Sequence, residues 1–158
     1  MQLFPYVLFL HVFGAILAFG PTYAYSIGGA MAGREPQHAN FNARVGAATG
    51  SKLVYPLAIL QGVTGLALIL ISGRNIFANA WLVVAIVLYI GALTFALTIQ
   101  RNTLHRVIEM TSTPPPAGAT GGPPPELMAA VKRIQMGGMG LGLTVAVIVF
   151  LMVVKPGG

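Results

Sequence analysis

Cysteine is absent from this 158-residue chain, and so is aspartate; the acidic residues are three glutamates, Glu35, Glu109 and Glu126. Without cysteine there are no disulfides, thiolate metal sites or thiol catalysis. Charge of either sign is scarce, at 8% of residues, where soluble domains carry about 25%. Hydrophobic residues make up 56% and the mean hydropathy is +0.80. Too little polar side chain exists to cover a globule in water, so lipid is the expected solvent. The net charge of +6 would in a soluble chain raise the question of nucleic acid. Here no basic stripe with interleaved aromatics supports that partner, and none is expected.

What the chain does have is long apolar runs. The first spans about residues 3–27 and contains FPYVLFLHVFGAILAFGPTYAY, which has no Lys, Arg, Asp or Glu and one ionisable side chain within it, His11. Three more follow at about 53–71, 81–99 and 137–154. Each is long enough to cross a hydrocarbon layer that needs about 20 apolar residues as helix. Spanning chains must satisfy their backbone internally, so the expected architecture is all-α, a single four-helix transmembrane bundle occupying residues 1–158. The first run has no basic n-region and exceeds the 7–15-residue core typical of a signal peptide, so it is expected to be retained.

Arg34, Arg44 and Lys52 lie in the first connection, and Arg101, Arg106, Lys132 and Arg133 in the third. The second connection has Arg74 alone and the C-terminal tail Lys155 alone. The positive-inside rule then puts connections one and three in the cytoplasm and both termini outside, in a bacterial inner membrane. The third connection contains TSTPPPAGATGGPPP, whose prolines and glycines read as an extended cytoplasmic linker between spans three and four. The ELMAAVKRIQ that follows resumes helical character. Trp81 suits an interfacial anchor; His38 and His105 read as loop and interface residues.

On a helical wheel His11, Gly14, Ala15, Ala18, Thr22 and Tyr25 share one face of span one. Small residues let helices approach closely, so this face should point into the bundle and carry His11 with it. Pro21 frees the carbonyl of Leu17. Spans two and four carry related small-residue patterns, Ala58, Gly62 and Gly65 in one and Gly138, Gly142 and Ala146 in the other. Gly14, Gly62, Gly138 and Gly142 are the expected helix-packing positions. Counting depth at about 1.5 Å per residue suggests a polar layer of His11, Tyr89, Thr64 and Thr144, with Gln61 about one turn deeper.

Two readings of that layer stay open. His11 is either a buried neutral imidazole bonded to a hydroxyl, or an axial ligand to the metal of a haem b. In the second case Tyr89 would border the site and Met152 is a candidate sixth ligand, with five-coordinate or dimer-shared haem as alternatives; quinone or lipid contact is a further use. All three glutamates lie outside the spans, which removes the usual acid–base pairs and the intramembrane carboxylate common in proton-coupled transporters. The expectation is an accessory or structural protein, a small subunit of a larger membrane assembly or a homodimer, with the haem-binding redox protein as the alternative and a small transporter as a third class.

Three stretches carry a resemblance: LHVFGAILAFGP around His11, AWLVVAIVLY opening span three, and LMVVKPG near the C-terminus. With them the chain resembles an uncharacterised bacterial family of four-span integral membrane proteins, which implies a four-helix membrane protein and no activity. More distantly, the LH...G beginning is similar to the first span of copper-resistance D proteins and of HemJ-type protoporphyrinogen oxidase. In the latter a first-span histidine is a key residue, and the resemblance carries that role to His11. Arg34 is a loose positional counterpart of that family's arginine, and span three has no counterpart of its lysine.

Overall fold

The computed structural model describes residues 3–113 and 122–157. Most of the proline–glycine linker, residues 114–121, lies outside the described residues. The chain forms four long helices: α1 (Leu3–Arg34), α2 (Ala39–Ser72), α3 (Ala80–Met110) and α4 (Pro125–Val154). All four are long and apolar enough to cross a membrane, and no strand occurs among the described residues.

Local chemistry sets the helix ends. Gly73, at φ 62°, takes the left-handed conformation that closes α2, which a residue without Cβ adopts freely. Pro125 occupies the first turn of α4, where its missing N–H costs nothing. Pro21 lies inside α1, and next to it the Thr22 hydroxyl donates to the Phe19 carbonyl at 2.5 Å.

Neighbouring helices run antiparallel. Along α1 and α2, Tyr25 faces Thr49, Gly14 faces Gln61 and His11 faces Gly65, so positions rise on one helix as they fall on the other. Along α3 and α4, the Gln100 amide donates to the Ile134 carbonyl at 2.9 Å, while Trp81, Leu82 and Ala85 pack with Leu151. Helix α1 also meets α4, where Gly142 lies beside the Tyr23 ring. Within the apolar spans α2 and α3 approach each other less closely than the other neighbours. The start of α1 at Leu3 and the end of α4 at Val154 therefore lie at the same end of the bundle.

Each helix has 30 to 34 residues, which at about 1.5 Å per residue exceeds the roughly 30 Å of hydrocarbon. The excess gathers at one end, the basic end that carries Arg34, Arg44, Arg101, Arg106, Lys132 and Arg133. There the first connection is helical from Ala39 onward. Ala43, Thr103 and Val107 are buried there, and the Asn40 amide donates to the Ile108 carbonyl at 3.0 Å and the Thr111 hydroxyl at 3.1 Å. Helices α2 and α3 each contain one π-turn near this end, at Gly50–Val54 and Ala96–Gln100. A π-turn inserts one extra residue and so rotates every face beyond it.

At the opposite end Trp81 is 5% exposed and sits in the core cluster, with the Arg74 guanidinium 5.8 Å from its ring centroid. The residue expected as an interfacial anchor is thus packed between helices at the end of its span. The ring closes the α3–α4 contact, and the cation stacks over its face.

Candidate functional site

Four polar side chains inside the apolar region, His11, Gln61, Thr64 and Tyr89, gather on α2. His11 Nδ1 lies 2.8 Å from the Thr64 hydroxyl. That hydroxyl also lies 3.0 Å from the Leu60 carbonyl of its own helix. A threonine has one hydroxyl hydrogen and two lone pairs. We assign the hydrogen to Leu60, the usual back-bond of a helical threonine, so Nδ1 is protonated and donates. His11 Nε2 then carries the lone pair.

One turn away Gln61 is 5% exposed, and its amide nitrogen has no hydrogen-bond partner among the described residues. It presses against Gly14, where an added Cβ would collide with it. On another face of α2, the Tyr89 hydroxyl donates to the Ala58 carbonyl at 2.7 Å and lies over Gly62. A Cβ at Gly62 would sit 2.7 Å from the hydroxyl oxygen and 3.2 Å from the ring. Tyr89 is thus a strut across the gap between α2 and α3.

Most of the wheel face of α1 points inward: Gly14 and Ala18 are buried, and His11, Ala15 and Thr22 are half-buried, whereas Tyr25 at its end is exposed. Phe9 and Phe13, stacked at 5.6 Å between centroids, are exposed on the outside. His11, Thr64, Gln61 and Tyr89 all meet α2 within two turns. Thr144 does not join them; its hydroxyl donates to the Gly140 carbonyl at 2.8 Å and borders a groove between α3 and α4. Met152 packs against the Trp81 cluster. His38 pairs with Glu35 at 3.7 Å on the surface, and His105 is exposed. No group of three or more His, Asp or Glu able to hold a metal occurs among the described residues. Gln61 as a contact of Gly14 was missed by depth counting, although a lone glutamine three residues before a threonine in an apolar run is a readable signal.

The glycines of α4 divide by geometry. A Cβ at Gly137 would collide with the Gln100 side-chain oxygen and lie 3.1 Å from the Phe95 ring, whereas at Gly138 and Gly142 the nearest atoms are 3.8 and 3.7 Å away. Gly137→Ala is therefore expected to destabilise the bundle by about 1–3 kcal/mol through overpacking. Gly138→Ala and Gly142→Ala should stay within roughly 0.5 kcal/mol of wild type. Unfolding in mixed dodecylmaltoside–SDS micelles measures all three, and equal losses would contradict the geometry.

Four long apolar helices, antiparallel neighbours and a polar layer buried between helices define a four-helix integral membrane protein. Residues 5–156 match the model of the family described as predicted integral membrane protein DUF2269. The chain belongs to that family. No curated protein and no solved structure matches it.

Proposed function

We propose that this is an accessory or structural membrane protein, a small subunit of a larger membrane assembly. One observation carries the reading: the hydroxyls and imidazole of the intramembrane layer make contacts within the bundle. His11 is bonded to Thr64 and Tyr89 to Ala58, each across two helices, while the Thr144 hydroxyl is taken up by Gly140 of its own helix. The two bonds between helices fix helix positions, and all three leave little for a reacting substrate. The apolar outer faces, among them Phe9, Phe13, Ile16, Val147 and Phe150, suit lipid or neighbouring subunits. The count of Lys and Arg supports a cytoplasmic basic end with both termini outside, in a bacterial inner membrane.

A second reading has its own support. With Nδ1 donating to Thr64, His11 presents Nε2 as the ligating nitrogen, and imidazoles that bind metals are oriented by a hydrogen bond at the other nitrogen. That arrangement fits an axial ligand to haem b. The remaining residues fit it less well, since Met152 lies with the Trp81 cluster and no second intramembrane histidine exists.

Purification in mild detergent after expression with ample haem separates the two. The accessory reading expects a colourless protein that brings stoichiometric membrane partners from its native host. A Soret band that disappears in His11→Ala would overturn it in favour of the haem protein.

A further inference from the structure

Two grooves on the outer surface between α3 and α4 run into each other. The first, of about 490 Å³, is bordered by Phe95, Ile99, Met136 and Gly137, with Lys132 and Arg133 at its basic end. The second, of about 410 Å³, shares Phe95, Met136 and Gly137 and continues past Gly91 and Gly140 to Thr144. Helix α4 advances about 18 Å from Lys132 to Thr144 at 1.5 Å per residue. One leaflet contributes roughly half of the ~30 Å hydrocarbon thickness, so the trough is about as long as a single acyl chain is deep. Its floor is open because, beyond the adjoining residues and the helix's own backbone, no atom lies within 4 Å of where a Cβ would sit at Gly91 or Gly140. Past Met136 no charged side chain borders it, and at its mouth both charged groups are cations.

The geometry points to a binding site for an anionic glycerophospholipid, with its phosphate on Lys132 and Arg133 and one acyl chain along the trough. Charge complementarity selects the occupant. An ammonium and a guanidinium side by side at headgroup level favour phosphate over a zwitterionic headgroup whose own cation they repel. The apolar length below them favours a lipid over a free anion. This inference is independent of whether His11 holds helices together or binds haem.

Native mass spectrometry of the detergent-purified full chain, offered equal amounts of phosphatidylglycerol and phosphatidylcholine, tests it. Each basic group is worth roughly a fivefold preference for anionic lipid, so the pair should retain phosphatidylglycerol about 25-fold better. Lys132→Gln with Arg133→Gln should abolish the preference; both side chains are exposed, so the fold should persist by circular dichroism. Gly140→Leu, which fills the trough at an open position, should lower phosphatidylglycerol retention with the charges intact. Inorganic phosphate at the same concentration should not displace the lipid. Equal retention of the two lipids overturns the proposal, as does retention unaffected by either variant or displacement by free phosphate.

Discussion

Gly62→Val is expected to expel Tyr89 from α2 and destabilise the protein by about 2–4 kcal/mol. The figure combines overpacking, roughly 1–3 kcal/mol, with loss of the Tyr89–Ala58 hydrogen bond, worth about 1 kcal/mol. The substitution is severe because the obstacle is a rigid ring: the added Cβ would lie 2.7 Å from the hydroxyl oxygen, 3.2 Å from the carbon bearing it and 3.3 Å from its ring neighbour. Tyr89 also bridges α2 and α3 within the apolar spans, where the two helices make few other close approaches, so little else takes up its role. Tyr89→Phe removes the hydroxyl that meets the new Cβ first. The pair Gly62→Ala and Tyr89→Phe should therefore lose less than the sum of its members, as expected of residues in contact. Unfolding in mixed micelles reads every member of this set, and a Gly62→Val protein as stable as wild type would remove the strut from the account.

Thr64→Val should prove more damaging than His11→Leu, although histidine is the more conspicuous residue. Valine takes away the acceptor and leaves the His11 Nδ1–H facing a methyl group, an unpaired donor that costs about 1–3 kcal/mol when buried. Replacing His11 instead leaves the Thr64 hydroxyl on the Leu60 carbonyl, so no polar group is orphaned. Thr64→Ser keeps the hydroxyl and should hold most of the stability. The reverse order, with His11→Leu far worse than Thr64→Val, would mean that His11 holds something other than Thr64.

The sequence reached the fold because lipid imposes simple requirements. An uncharged run of some 20 residues reads directly as a span, and the 3–4-residue spacing of Gly14 and Ala18 with His11 marks the face of α1 that turns inward. Where it stopped, the cause is rotational phase. Gly137 and Gly138 are neighbours about 100° apart on a helix, so whichever meets Gln100 depends on how α4 is turned against α3, which no local pattern states. Gln61 and Thr64 pose the same question on α2. Thr144 matched His11 in depth but faces another groove, since equal depth constrains only one of two coordinates. Of the helical overhang at the basic end, ELMAAVKRIQ was legible, but the α2 part escaped because Ala39–Thr49 is too polar for a span, and Ala43 is its one buried residue. The two π-turns leave no compositional trace; Gly50 is legible only afterwards, as the position where a Cβ would lie 3.3 Å from the Tyr55 ring.

The central claim is that the intramembrane polar layer ties helices together, and a double-mutant cycle on His11 and Thr64 tests it most directly. Stability would be measured for wild type, His11→Leu, Thr64→Val and the double variant in the same micelles. Because the double variant has no orphaned donor, it should be more stable than Thr64→Val alone, with a coupling of about 0.6 kcal/mol or more, the scale of hydrogen bonds between membrane helices. Strictly additive losses would contradict the account and leave His11 free for a ligand.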